Sequence, residues 1–478
     1  MLTPYLTAKF QGTSAYGEMS LVYALIPFLN TVFIFGFETA YFRYIQRNEY
    51  KEDVYSILST SIVSSTTILT VLTLIWNKSI ASFIGIANHP EYISLSAFII
   101  AFDTLSALPF ARLRHENRPR KFAVIRITGI LINIFIVYFF LSICPALLKK
   151  NPNSVWLLLY NKNFGVGYVL IANMAQSLFQ LLVLWKSFFD FKWKMVYPKW
   201  REFIVYSLPL TVAGFAGMIN ETFDRVMLRW WAPVASPEIA KYEVGTYSAC
   251  YKLSILITLF IQAFRMGAEP FFFRQFSRDD APKVYARVMK FFVLTICVMF
   301  LVVALYLDIW KYFIRDEKMW SGLKVVPILL FANMFLGIYI NLSIWYKLSG
   351  RTSAGAYITV IGALITVIIN YFFIPRFSYM ACAWATCICY GTMMVVSYVW
   401  GQRNYRIPYA WKKLVAYLVI VCALYFAHHF LTGVWTNQWF SYILATMLTG
   451  GFLLFVLIVE RKEFIRLPYV GKYIQQFA

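Results

Sequence analysis

The chain has 478 residues, of which 60% are hydrophobic, 19% aromatic and only 14% charged. A soluble domain carries about 25% charged residues, so this composition excludes a soluble enzyme and points to an integral membrane protein. The net charge of +22 and pI near 9.6 would suggest nucleic acid in a soluble chain. In a chain this apolar, the Lys and Arg belong in loops facing anionic lipid, and no nucleic-acid partner is expected.

About 20 apolar residues cross a bilayer. Such spans are expected near 19–42, 55–76, 92–111, 122–143, 165–185, 203–227, 246–270, 288–307, 324–346, 355–375, 380–400, 412–431 and 439–459. The longest intervening polar stretches, around 144–163, 186–202 and 229–245, are too short to be domains. Alternate loops differ in charge. One set, including RYIQRNEYKED, RLRHENRPRK, KSFFDFKWKMVYPKWR and the tail RKEFIRLPYVGK, holds about 28 Lys and Arg against about 12 in the other. That bias places the first set, and the C-terminus, in the cytoplasm.

Residues 1–8, MLTPYLTA, read as the end of a helix, with no signal-peptide pattern. A natural chain is expected to begin roughly 20 residues upstream, one helix length.

Seven cysteines lie in or beside apolar segments, with no Cys-x-x-Cys pair near histidine. No metal or other cofactor is expected. The motifs of nucleotide-binding and serine-hydrolase sites are also absent, so the chain is not read as an enzyme.

The chain repeats itself. GFETAYFR (36–43) and GAEPFFFR (267–274) share Gly-x-Glu-x-x-x-Phe-Arg, pairing Glu38 with Glu269 and Arg43 with Arg274 at a spacing of 231. RPRKFAVIRITGILINIFIVYFF (118–140) matches RTSAGAYITVIGALITVIINYFF (351–373) at a spacing of 233, and Gly17 matches Gly245. Repeated spans with the same inferred orientation make a parallel repeat about an axis along the membrane normal, a common build of secondary transporters.

SLPLTVAGFAGMINETFDRVML (207–228), VGTYSACYKLSILITLFIQAFRMGAEPFFF (244–273), AYGEMSLVYALIPFLNTVFIFGFETAYFR (15–43) and FGVGYVLIANMAQSLF (164–179) carry a resemblance covering nearly the whole chain. It resembles the polysaccharide-biosynthesis flippases of the multidrug/oligosaccharidyl-lipid/polysaccharide exporter superfamily, in the branch for O-antigen and capsule. The stretch RFSYMACAWAT after Pro375 departs from relatives that often carry glycines there, as does the missing first helix. The resemblance implies an all-α polytopic fold of two pseudo-symmetric six-helix lobes, here 1–198 and 199–408, with two further helices and a tail in 409–478. It also implies a bacterial inner-membrane monomer moving a polyprenyl-diphosphate-linked oligosaccharide outward by alternating access. Membrane lipids, and a polymerase and glycosyltransferases, would be its other partners. A cation-coupled drug antiporter of the same superfamily and a non-transporting scaffold or polymerase partner are the alternatives.

Charges inside apolar helices are costly and face a cavity or a partner. A diphosphate head group needs cations to replace lost water and counterions. Lys252, Arg265, Arg126 and Arg225 are the candidates. Lys252 leads, because no acidic residue stands three or four positions away on its own helix. The duller readings are same-face pairs Glu221–Arg225 and Arg265–Glu269, and an Arg126 that snorkels to head groups. Asp103, with no base at those spacings, is the candidate proton or sodium site, or simply a neutral hydrogen-bonded acid. Asp224 belongs to the same charged set. Glu38 and Glu269 are read as architectural contacts between lobes, and Arg43 and Arg274 as cytoplasmic anchors. Pro209, Gly214 and Gly217 make the 203–227 helix the expected gating bend.

Overall fold

The structure, a computed structural model, describes residues 2–150, 160–161, 164–275, 278–349, 351–435 and 437–465. All regular structure among them is helical. In chain order the helices are α1 Thr3–Lys9, α2 Ala15–Ile34, α3 Phe37–Tyr44, α4 Val54–Ile75, α5 Asn77–Phe83, α6 Pro90–His115, α7 Pro119–Tyr138 and α8 Cys144–Lys150. Then come α9 Gly167–Val183, α10 Trp185–Phe189, α11 Tyr197–Met218, α12 Asp224–Trp231, α13 Pro237–Gln275, α14 Ala281–Ala304, α15 Leu307–Trp310 and α16 Val326–Leu342. The last are α17 Ile344–Leu348, α18 Thr352–Phe377, α19 Tyr379–Asn404, α20 Trp411–Val434, α21 Gln438–Val459 and α22 Arg461–Phe464.

Among the described residues, 12 helical runs are long and apolar enough to cross a membrane, and the shorter apolar helix Gly167–Val183 stands where the fifth expected span lies. Residues 144–150, expected in a loop, are helical: α7 continues through a π-helical turn at Phe139–Ile143 into α8. Pro145, which has no N–H to donate, follows directly on that π-helical turn, where the regular bonding of the helix is already interrupted. Pro327 stands in the first turn of α16.

The two copies of the Gly-x-Glu phrase have different backbones. Phe35 and Gly36 take left-handed φ values of 51° and 67°, which ends α2 and starts α3. A Cβ on Gly36 would meet the Ser207 carbonyl at 3.3 Å. Gly267 sits within the uninterrupted helix α13, with nothing near its Cβ position.

The chain packs into two compact units, 1–248 with 359–382 and 249–358 with 383–478. They do not follow lobe boundaries at 199 and 409. Residues 199–248 belong to the first unit because α11 lies along α2 and α3. In that unit α6 is central, packed by α9, α4, α2 and α5, while α7 lies on α9. In the second unit α14 is central and contacts α16, α20 and α21.

The 186–202 connection is clasped to the 45–53 turn. Lys194 and Lys199 reach Asp53 at 2.6 and 2.7 Å, and Tyr50 donates to Glu202 at 2.5 Å. Hydrogen bonds from Lys194 and Lys199 hold the Asp53 carboxyl below the usual carboxylate range. Its folded pKa is depressed, so the clasp contributes fully above the unfolded value of about 3.9 and is lost as pH falls through the lower folded value. Hydrogen exchange in 190–196 is expected to accelerate below about pH 3.9. Asp53→Asn should remove most of that pH dependence. An unchanged acid profile in this variant would assign the response to other groups.

Candidate functional site

The first unit contains a polar wall built by α6, α7 and α9. Arg126, two turns into α7, donates from Nη1 to Gln180 Oε1 at 2.9 Å, and its guanidinium lies 4.1 Å from the Phe110 ring centroid. Gln180 comes this close because residue 129 is glycine: a Cβ there would stand 2.8 Å from Gln180 Nε2. Asp103 of α6 lies beside Ser177 of α9 and within the electrostatic field of Arg126. Neither joins the other in an ion pair among the described residues, so the guanidinium keeps donors free of a carboxylate. Arg126 is exposed and Asp103 half-buried. The candidate anion-binding cation and the candidate coupling carboxylate therefore belong to one site, a proximity hidden in a sequence that separates them by 23 positions.

One helical stage further along, Asn133 Nδ2 donates to Asn173 Oδ1 at 2.9 Å, and Asn173 donates to the Tyr23 hydroxyl. At the other end of the wall Glu38 pairs with Arg114 of α6. Glu38 thus makes a contact inside the first unit. Arg43 stacks on Tyr206, its guanidinium 4.3 Å from the ring centroid. The side chains of Glu269 and Arg274, and with them the expected Arg265–Glu269 pair, lie outside the described residues.

Arg225 is placed differently from Arg126. It pairs with the adjacent Asp224 at 3.1 Å, and its Nη1 also donates to the Glu221 main-chain carbonyl at 2.7 Å. Tyr247 donates to the other Asp224 oxygen at 2.6 Å. Asp224 is 1% exposed and Arg225 8%. Arg225 thus meets Glu221 at its main-chain carbonyl and Asp224 at its carboxylate, across the π-helical turn Ile219–Phe223. The irregularity in the expected gating helix is this turn. Pro209 lies inside continuous α11, Gly214 faces the Thr31 methyl at 3.1 Å from its Cβ position, and Gly217 has Thr359 at 3.9 Å.

A seam runs where α2 crosses the start of α13. A Cβ on Gly17 would stand 1.7 Å from the Lys241 carbonyl oxygen and 3.3 Å from the Gly245 nitrogen. The repeat-related glycines are thus the point of closest approach. Beside them the buried Lys241 ammonium holds Glu18 at 2.8 Å and Glu238 at 2.9 Å, and Ser14 donates to Glu238 at 2.5 Å. Trp230 donates to the Phe83 carbonyl at 2.6 Å, and Arg229 covers Gly85. Sequence reading missed Glu18 and Lys241; their proximity to the paired glycines was the available signal.

In the second unit Lys252 is half-buried on α13. Arg265 and Lys347 line a water-sized hollow of about 20 Å³ together with Asn341 and Ser343. Asn341 Nδ2 is buried without a hydrogen-bond acceptor. The rest of the hollow's lining is apolar, Phe264, Ala268, Phe272, Ile340 and Ile344; its two charged members are both cations. Lys347 was missed because it lies at a helix end, where a loop cation is the ordinary reading. No cluster of metal-ligating side chains occurs among the described residues.

Residues 1–276 match the family described as polysaccharide biosynthesis protein, and residues 235–372 match the MatE family. No curated protein matches. Among solved structures the chain is similar to the lipid II flippase MurJ in an inward closed conformation, with 16% identity, TM-score 0.67 and 96% of each chain covered. It is also similar to an inward-facing multidrug resistance MATE family transporter of the MOP superfamily, with 13% identity, TM-score 0.64, and 87% of this chain and 95% of that one covered. A third is a MOP superfamily transporter from Pyrococcus furiosus, with 12% identity, TM-score 0.55, and coverage of 84% and 90%. At these identities the likeness concerns the fold.

Proposed function

Since the chain belongs to the polysaccharide biosynthesis protein family, we propose that it moves a polyprenyl-diphosphate-linked oligosaccharide from the cytoplasmic to the outer face of a bacterial inner membrane, for O-antigen, capsule or exopolysaccharide synthesis. The observation that carries this reading is the accessible Arg126 guanidinium in a polar wall beside Asp103. An arginine can grip phosphate oxygens through two donors at once. Lys252, and Arg265 with Lys347, offer further cations in the second unit. Nothing in the head group needs to change chemically; only its location does. Outward movement of a diphosphate is favoured by an inside-negative potential, at about 2.3 kcal/mol per charge per 100 mV. Asp103 would carry the coupling ion where one is used. The charge bias of the loops supports a cytoplasmic C-terminus.

Transbilayer movement of labelled polyprenyl-diphosphate oligosaccharides in proteoliposomes tests this. Arg126→Gln is expected to cut the rate about tenfold to a hundredfold, the range for losing a hydrogen bond to a charged group. Asp103→Asn should change the ion dependence. Folded protein that moves none of several glycans but exchanges cationic drugs would replace this reading with the antiporter.

A further inference from the structure

Beyond Arg126, the wall contains a second set of polar groups that the phosphate chemistry does not use. Asn133, Asn173 and Tyr23 are all neutral and come from three helices, α7, α9 and α2. Their hydrogen bonds run in one direction: Asn133 donates to Asn173, and Asn173 donates to the Tyr23 oxygen. Exposure rises along the same path. Asn133 is 8% exposed, Asn173 half-buried and Tyr23 36% exposed. The exposed Tyr23 is held by its hydroxyl to α9 through Asn173, so a ligand beside it can meet both its ring and its hydroxyl.

Two amides bonded to each other would suffice to hold two membrane helices together. The third member has a different consequence. With its oxygen accepting from Asn173, the Tyr23 hydroxyl presents its own proton to whatever lies beside it. A chain of bonds polarised one way makes that terminal donor stronger. The ring beside it offers an apolar face of the kind that packs on the C–H face of a pyranose.

The two polar levels are separated along α7 by the seven positions from Arg126 to Asn133, about 10 Å of helix. On α9 the partners follow the same order: Gln180 beside Arg126, Ser177 beside Asp103, Asn173 beside Asn133. We infer that Tyr23, Asn173 and Asn133 form a neutral sugar-reading level, set about 10 Å along the wall from a phosphate level at Arg126. The ligand class is a lipid diphosphate bearing a hexose whose hydroxyl or acetamido oxygen accepts from Tyr23. Its charge lies at one end and its neutral oxygens at the other, the same order as the wall. This inference rests on the transport reading proposed above.

The test compares two probes on the full chain in detergent: polyprenyl diphosphate and the same lipid bearing one hexose. Binding is followed by equilibrium fluorescence quenching. In the wild type the sugar should raise affinity about fivefold, the factor that corresponds to one net neutral hydrogen bond. Tyr23→Phe keeps the ring and should abolish that increment while leaving the bare diphosphate's affinity unchanged. Asn173→Leu should act the same way by removing the bond that orients the hydroxyl. Arg126→Gln should weaken both probes by one common factor and preserve the increment. Retention of the increment in both Tyr23→Phe and Asn173→Leu overturns the inference. So does a wild type indifferent to the sugar, or an equal loss for both probes in Tyr23→Phe, which would mark the three residues as helix glue. If neither lipid binds the wild type, the transport reading fails together with this one; if both bind without the expected selectivity, only the sugar level fails.

Discussion

Gly17→Ala is expected to hold α2 and α13 apart and to lower transport more than tenfold while leaving the protein folded. The added Cβ would lie 1.7 Å from the carbonyl oxygen of Lys241 and 2.6 Å from its carbon. These are backbone atoms, so no rotamer change relieves the overlap and the helices themselves must separate. Overpacking of this kind costs about 1–3 kcal/mol, occasionally more. Separation also stretches the 2.8 Å contact between Lys241 and Glu18, and loosening a buried pair adds to the penalty because each charge has already lost its water. In the transport cycle proposed above such a penalty acts by population: about 2.7 kcal/mol depletes the closed seam a hundredfold, and the proposed cycle needs that seam closed on one face. The readout is a short cross-linker between Ser14→Cys and Glu238→Cys in a cysteine-depleted background, since these side chains touch at 2.5 Å. Efficient cross-linking in the Gly17 parent should collapse in Gly17→Ala. Gly267→Ala, in a helix with open space at its Cβ position, is the matched control and should behave as the parent. Undiminished cross-linking and flux in Gly17→Ala would show that the seam is not needed in this geometry.

The spans were legible because crossing a bilayer imposes a length and a composition that leave little freedom. The repeat was legible too, and it identified glycines 17 and 245, which the structure brings to 3.3 Å through the Gly17 Cβ position. What the repeat could not convey is conformation. The same phrase ends a helix at Gly36 and continues one at Gly267, because in the first copy the turn is wedged against α11 at Ser207. The charged candidates show a parallel limit. Spacing of i,i+4 offered Glu221 as a partner for Arg225, but could not show the adjacent Asp224 carboxylate at 3.1 Å, which is buried against Tyr247. Partners far apart in sequence were harder still. Asp103 looked isolated on its own helix, yet its surroundings include Ser177 and Arg126 from two others. Asn133, Asn173 and Tyr23 gave no signal individually, since a lone amide or phenol in an apolar helix is ordinary. Their meaning lies in the order of donors, which only the packed bundle supplies.

Glu460→Leu is expected to destabilise the second unit by about 3 kcal/mol, toward the low end of the range for breaking a buried ion pair. Glu460 stands just beyond α21 and is 2% exposed. It accepts from Lys290 at 2.7 Å, Tyr417 at 2.7 Å and Lys413 at 3.0 Å, so it ties α21 to both α14 and α20. Removing it leaves Lys290 mostly buried, with Glu463 at 3.3 Å to offset its charge; that remaining partner is why the low end applies. If the cost arises from the stranded ammonium, removing it as well should restore stability. Glu460→Leu with Lys290→Leu is therefore expected to recover roughly 2 kcal/mol, the remainder reflecting the unbonded Tyr417 hydroxyl. Denaturant unfolding in mixed micelles measures both. A double variant no more stable than the single one would mean that Glu460 acts through its bonds to Tyr417 and Lys413. Acid gives a second reading of the same group. Burial pushes its pKa up, but the bonds from Lys290, Tyr417 and Lys413 outweigh that and hold it below the usual carboxylate range. Its contribution is then complete above the ordinary glutamate value of about 4.3 and fades as pH falls through the lowered one. Wild-type stability should decline over that interval, and the double variant, having no carboxylate at 460, should decline less.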